Sequence, residues 1–223
     1  NDYALSVIVP VYNNARFLTS KCIPSLQRNN LWSKMEVLLI DDGSTDSDTL
    51  QTLSYLESIY SNVKVIFNHG NGSGSASRPR NQGIDLAKAS IVTFLDPDNE
   101  IAPGAYDLLV DLYHKANSSS SESVDFISGF HVKVSEDVKV IGKHTSNELS
   151  IIKNFKKGYF DKGRFPVIAT QSAVISKKLL NDHNIRFVEG SAGQDTLFGW
   201  ELIANSKCGG FNGEAYIIYY ADR

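Results

Sequence analysis

Glu36-Val37-Leu38-Leu39-Ile40-Asp41-Asp42-Gly43-Ser44-Thr45-Asp46 is the stretch whose reading decides the fold. Its apolar run is short enough for a strand and too unbroken for a half-exposed one, so it reads as a strand buried on both faces of a sheet. Two carboxylates come directly after it. Gly43 punctuates, and Ser44-Thr45-Asp46 supplies a helix N-cap. A buried strand, an acidic turn and a helix start in eleven residues are half of a βαβ unit.

The same unit recurs on either side. Upstream, Leu5 to Val11 reads as another buried parallel strand, and Asn13 or Asn14 can cap the next helix. Leu18, Cys22 and Leu26 then repeat at a spacing of four on one helical face, with Pro24 implying a kink or break. Downstream, Leu50, Leu53, Leu56 and Tyr60 form an apolar stripe, and Val63 to Phe67 reads as the third strand. A Gly/Ser-rich loop, His69 to Ser77, leads into a helix carrying Ile84, Leu86 and Ala87. Ile91 to Leu95 is the fourth strand and ends at Asp96-Pro97-Asp98. Pro103 suits a helix start, with Leu108, Leu109 and Leu112 turned inward.

The pattern predicts an α/β fold with a mostly parallel sheet and helices on both faces. Past the low-complexity stretch Ser118 to Ser123 the alternation loosens. Strands are expected at Val124–Phe130, Val132–Ile141, Ala169–Ile175 and Ala215–Tyr220. Helices are expected at Glu148–Phe155, Lys177–Asn181 and Asp195–Ala204. With no repeat and no clear linker, residues 1–223 read as a single domain. Its halves are about 1–117 and a smaller mixed part at about 124–223. The abrupt start and end lead us to expect a segment of a longer protein.

Composition narrows the function classes. A net charge of −3, with no polybasic block, argues against a chain that coats nucleic acid. Hydrophobic residues at 42% are enough for a core. No apolar run is long enough to span a membrane, and no signal peptide is evident. Cys22 and Cys208 match no metal spacing; Cys22 reads as a buried thiol. The five histidines share no ligand spacing either. Gly70-Asn71-Gly72-Ser73-Gly74 lacks the Lys-Ser/Thr of a P-loop and reads as a flexible flap.

The acidic strand ends carry the chemistry. Ligands of open α/β sheets bind beyond the carboxyl ends of the strands. Asp96-Pro97-Asp98-Asn99 suits both a turn and a site for a hard cation such as Mg²⁺ or Mn²⁺. In Asp41-Asp42 one carboxylate suffices for the turn. The other could accept from N3–H of uracil, where cytosine presents an acceptor.

These residues resemble family 2 glycosyltransferases of the GT-A (Rossmann-like) fold. The matching pieces, in the family's order, are Ser6-Val7-Ile8-Val9-Pro10-Val11-Tyr12-Asn13, Asp41-Asp42-Gly43-Ser44-Thr45-Asp46, Arg80-Asn81-Gln82-Gly83-Ile84, Phe94-Leu95-Asp96-Pro97-Asp98-Asn99 and, more weakly, Gln194-Asp195-Thr196-Leu197-Phe198-Gly199-Trp200. The resemblance implies a metal-dependent inverting transferase that moves a hexose or N-acetylhexosamine from a UDP-sugar to a hydroxyl of a cell-surface glycan or glycoconjugate. It implies Pro10, Val11 and Tyr12 at the nucleoside, Asp42 on the uracil, and Arg80 and Asp96 at the nucleotide. Asp98 with Asp96 would hold Mn²⁺ or Mg²⁺, and Asp195 would be the base. It also implies cytoplasmic work, with peripheral membrane association through the rest of the protein. Two departures stand out: Gln194 where many relatives carry Glu, and Asn99 where many carry Asp. An alternative is a module that holds a nucleotide sugar without turning it over. A receiver-type signalling domain, which also clusters aspartates, would place its acidic pair after the first strand.

Overall fold

The computed structural model describes residues 2–119, 123–134, 140–141, 150–153 and 168–220. Its core is a four-stranded parallel array. β1 (Leu5–Val11) pairs with β2 (Met35–Asp41) on one side and β4 (Ile91–Phe94) on the other, and β2 pairs with β3 (Val63–Phe67). Every residue of β1 and of β2 is buried, which is why both read as continuous rather than alternating. Leu5, Val7, Val9 and Val11 face one hydrophobic layer and Ile8 the other. Between β1 and β2 lie a short helix α1 (Ala15–Phe17), a π-helical turn Leu18–Cys22 and a helix α2 (Ile23–Gln27). The break expected at Pro24 therefore appears as this change of winding.

The first layer also receives helix α3 (Ser47–Ile59), through Leu53 and Leu56, and α5 (Ala105–Ser119), through Tyr106 and Leu109. The second is covered by α4 (Ser77–Leu86), α6 (Lys177–Asp182) and α7 (Gln194–Asn205), through Ile84, Leu180, Phe198 and Leu202. Of the three apolar residues named for this helix, Ile84 and Ala87 are buried and Leu86 is 42% exposed.

Beyond β4 the sheet changes direction. β9 (Ala173–Ser176) runs antiparallel to β4, β6 (Phe126–Val134) antiparallel to β9, and β10 (Cys208–Tyr220) parallel to β6. Among the described residues three further short strands join the sheet: β5 (Glu100–Ile101) and β8 (Ser150–Lys153) pair with β10, and β7 (Val140–Ile141) pairs with β6. The main order is β3-β2-β1-β4-β9-β6-β10-β5. The α/β architecture with a mostly parallel sheet is as expected; several elements of the second half are not. Val124–Phe130 and the start of Val132–Ile141 form one strand, β6, and Val140–Ile141 forms the short β7, while 135–139 lie outside the described residues. Ser150–Lys153, expected in a helix, is a strand, because β10 offers it an antiparallel edge at Cys208–Phe211. The strand expected from Ala169 begins only at Ala173, after a 3-10 turn at Thr170–Ser172. Ser118 and Ser119 still belong to α5, and 120–122 lie outside the described residues. Among the described residues no helix is long and apolar enough to cross a membrane.

Gly83 explains how closely α4 sits on the sheet. A Cβ there would fall 2.3 Å from Cγ2 of the fully buried Ile8. Gly83→Ala is expected to destabilise the fold by about 1–3 kcal/mol through overpacking. A lower urea midpoint with an unchanged slope would show it, and an unchanged midpoint would contradict it.

Candidate functional site

The carboxyl ends of β1, β2 and β4 open onto a cavity of about 430 Å³. Pro10, Val11, Tyr12, Asp42, Asp96 and Asp98 all line it, with Gly72, Gly74 and Ser75 of the 69–77 loop opposite. Residues widely separated in sequence thus converge because their strands are neighbours. Tyr12 is half-exposed, with Gly72 so near that a Cβ there would lie 2.7 Å from the Tyr12 ring.

The aspartates divide their work. Asp41 accepts from the N–H groups of Gly43 and Ser44, each at 3.2 Å, and so makes the turn. Asp46 caps α3 by accepting from Thr49 N–H at 3.0 Å. Gly43 has φ +86° and its position leaves no room for a side chain, with Gly70 O 2.4 Å from where a Cβ would stand. Asn13, expected to cap the first helix, instead accepts from Thr45 N–H and Asp46 N–H, both at 2.9 Å. Asn14 does stand at the N-cap position, without a side-chain cap bond. Asp42 is therefore spared for the cavity, yet it is well occupied. Its Oδ2 accepts from Ser73 N–H and Oγ–H, both at 2.7 Å, and its Oδ1 from Arg78 Nε at 3.1 Å and Nη2 at 2.7 Å. Four donors match the roughly four lone-pair sites of a carboxylate. A nucleobase that is to use Asp42 must displace Ser73 or Arg78.

Asp96-Pro97-Asp98-Asn99 is both a turn and a cavity wall. Asn99 N–H donates to Asp96 O at 3.0 Å, while Asp96 and Asp98 line the cavity. Oxygen ligands on such a wall suit a hard cation. Among the described residues no group of three or more His, Cys, Asp or Glu is placed to hold a metal. Two carboxylates fit an ion that takes its remaining ligands from substrate phosphates.

Arg80 is 2% exposed and is not among the residues lining the cavity. Its Nη2 donates to Asp96 Oδ1 at 2.7 Å and its Nη1 to Asp195 Oδ1 at 2.6 Å. Beneath it lies an aromatic shelf: the guanidinium carbon is 5.1 Å from the Phe187 ring, which stacks on Phe198 at 4.0 Å. Burial works against the Arg80 charge, but Asp96 and Asp195 outweigh it and move its pKa up. Asp195 moves up as well: burial is the chief cause, Arg80 opposes it, and the negative charge of Asp96 adds to it.

Asp195 opens the first turn of α7 and lines a second cavity of about 250 Å³ with His131, Ile168, Ala169, Thr170, Gln171 and Ile217. The structure thus brings Pro10, Val11, Tyr12, Asp42, Asp96 and Asp98 to one cavity and Asp195 to another, with Arg80 bridging Asp96 and Asp195. Gln194 accepts from the Ser77 hydroxyl at the start of α4. Sequence reasoning took Ser73 only as part of a flap and missed Arg78, Gln171 and His131. Arg78 stands beside a matched motif, a usable signal; Gln171 and His131 carry none.

Comparison with known proteins places this geometry. The family model described as Glycosyl transferase family 2 matches residues 6–183. The poly(ribitol-phosphate) beta-N-acetylglucosaminyltransferase TarP of Staphylococcus aureus is 29% identical over 91% of this chain and 58% of its own length. A GalNAc(5)-diNAcBac-PP-undecaprenol beta-1,3-glucosyltransferase of Campylobacter jejuni is 37% identical over 51% of this chain and 34% of its own. The crystal structure of S. aureus TarS 1-349 in complex with UDP-GlcNAc superposes with a TM-score of 0.76 at 23% identity, covering 98% of this chain and 59% of that one, a likeness of fold. The chain spans little more than half the length of these relatives, or less.

Proposed function

The chain belongs to glycosyl transferase family 2, and we propose on that premise that it transfers a hexose or N-acetylhexosamine from a UDP-sugar to a hydroxyl of a cell-surface glycan or glycoconjugate, inverting the anomeric carbon. One observation carries the reading: a cavity walled by Tyr12, Asp42, Asp96 and Asp98 lies beside a second holding Asp195, and a single buried arginine joins their carboxylates. The first has the shape and groups for a nucleoside diphosphate, with Tyr12 against the base and Asp42 on its edge. The second suits the sugar hydroxyl that attacks. The names of the relatives support the substrate classes, UDP-GlcNAc for TarS and a polymeric or lipid-linked acceptor for the others.

The chemistry rests on the groups in place. Asp195 takes the proton of the acceptor hydroxyl as that oxygen attacks the anomeric carbon. The bond from that carbon to the diphosphate breaks on the opposite face, and UDP leaves with the electron pair. Asp98 and Asp96 would hold Mn²⁺ or Mg²⁺, which supplies charge neutralisation for the departing diphosphate.

Calorimetric titration of UDP with Mn²⁺ and again with EDTA, on the wild type and on Asp98→Ala, tests the donor site. Binding is expected to strengthen with Mn²⁺ and to lose about tenfold or more of that gain in Asp98→Ala. Absence of UDP binding under both conditions would overturn the reading.

A further inference from the structure

We infer that Gln171 is a positioning residue that fixes the Asp96–Asn99 turn, and through it the metal–diphosphate end of the donor site, from the side of the Asp195 cavity. The inference rests on the donor site proposed above. Gln171 lies in the 3-10 turn that opens β9, far along the chain from the turn it holds: its separation from Asp96 is 75. Its Oε1 accepts from Asp96 N–H and from Asn99 Nδ2, both at 2.9 Å. Its Nε2 donates to Asp96 Oδ2 at 3.0 Å. A backbone N–H can only donate and a carboxylate oxygen only accept, so the amide has one orientation that satisfies both.

Its own backbone is anchored as well. Gln171 C=O accepts from the hydroxyl of the fully buried Tyr106 at 2.7 Å. With Arg80 on Oδ1 and Gln171 on Oδ2, the Asp96 carboxylate is gripped on both oxygens and cannot rotate without breaking one contact. Carboxylates that approach a cation depend on such partners for their aim, and loss of one typically costs about ten- to hundredfold in metal affinity. Gln171 also lines the second cavity, so one residue borders that cavity and holds Asp96 on the wall of the first.

The experiment compares UDP binding by calorimetry, with Mn²⁺ and with EDTA, in the wild type and in Gln171→Met, which keeps length and removes all three bonds. A melting curve accompanies each. The gain in UDP affinity conferred by Mn²⁺ is expected to fall about ten- to hundredfold, while binding in EDTA, which reads the base and ribose contacts, stays within about twofold. Gln171→Asn keeps the amide but is one methylene too short to span the turn; it is read in the same way should Gln171→Met fail to fold. An undiminished Mn²⁺ gain in either variant would overturn the inference. So would equal weakening of both arms together with a lower melting temperature, the mark of a residue that merely supports the fold. Failure of the donor-site reading itself looks different, since the wild type would then not bind UDP.

Discussion

Asp195→Asn is expected to lower transfer from a UDP-sugar by about 10²–10⁴-fold, the range that a positioned general base contributes. Asn keeps the shape of the side chain and an oxygen that can still accept from Arg80 Nη1, the contact made at 2.6 Å in the wild type. UDP binding should therefore stay within about twofold, since the substitution lies on the wall of the second cavity and not of the first. The pH profile sharpens the test. Burial is the main reason that the Asp195 carboxyl sits above its ordinary value, with Arg80 pulling it back and Asp96 pushing it further. The native state thus keeps this proton to higher pH than the unfolded chain. Its contribution to stability is present below the unfolded pKa and is lost as pH rises through the folded one. For catalysis the same shift means that the base form appears late. The wild-type rate should climb with pH above the usual carboxylate range, and Asp195→Asn should lack that limb. Equal turnover of the two proteins with saturating UDP-sugar and acceptor would remove Asp195 from the role of base.

Arg80→Met is expected to lower folding stability by about 1–3 kcal/mol, because it leaves the partly buried Asp96 and the half-exposed Asp195 carboxylates without their charged donor. The guanidinium is 2% exposed and holds carboxylates from two different elements, Asp96 after β4 and Asp195 on α7. Without it, two negative charges face one site with no cation between them. Arg80→Lys should recover only part of the loss, because an ammonium is a single point charge and cannot reproduce two divergent bonds from one planar fork. A double-variant cycle checks the cause. If the penalty arises from unpaired carboxylates, Arg80→Met combined with Asp195→Asn should cost less than the sum of the separate changes. Strict additivity in urea denaturation would instead assign the loss to packing against Phe187.

The parallel half of the fold was legible because each of its signals is local. A strand buried on both faces is apolar nearly throughout, as β1 and β2 are apart from the hydrogen-bonded pair Ser6 and Glu36 and the terminal Asp41, and a helix start needs its cap within a few residues, as Asp46 provides for α3. The second half was harder to read for the opposite reason. Ser150–Lys153 lies extended only because Cys208–Phe211 stands ready to pair with it, and nothing within those four residues announces a partner so far along the chain. The extra length of β10 and the late start of β9 have the same origin: ladder bonds to β6 and β4 decide them.

The candidate site divides along the same line. The sequence by itself determined which carboxylates stand at the ends of strands, and so which could meet at one edge of a sheet. It also carried enough ordered motif to point to the family. Only the tertiary structure decided how those carboxylates are partnered. Asp41 turns the chain while Asp42 faces the cavity under Ser73 and Arg78. Arg80 is drawn in to bridge Asp96 and Asp195, a partnership that its motif does not spell out. Gln171 comes to hold Asp96 across 75 positions of sequence. The physical reason is that strand ends and caps are set by hydrogen bonds and periodicity over a few residues. The pairing of buried charges depends on which side chains folding brings within about 3 Å of one another, where desolvation makes every partner count.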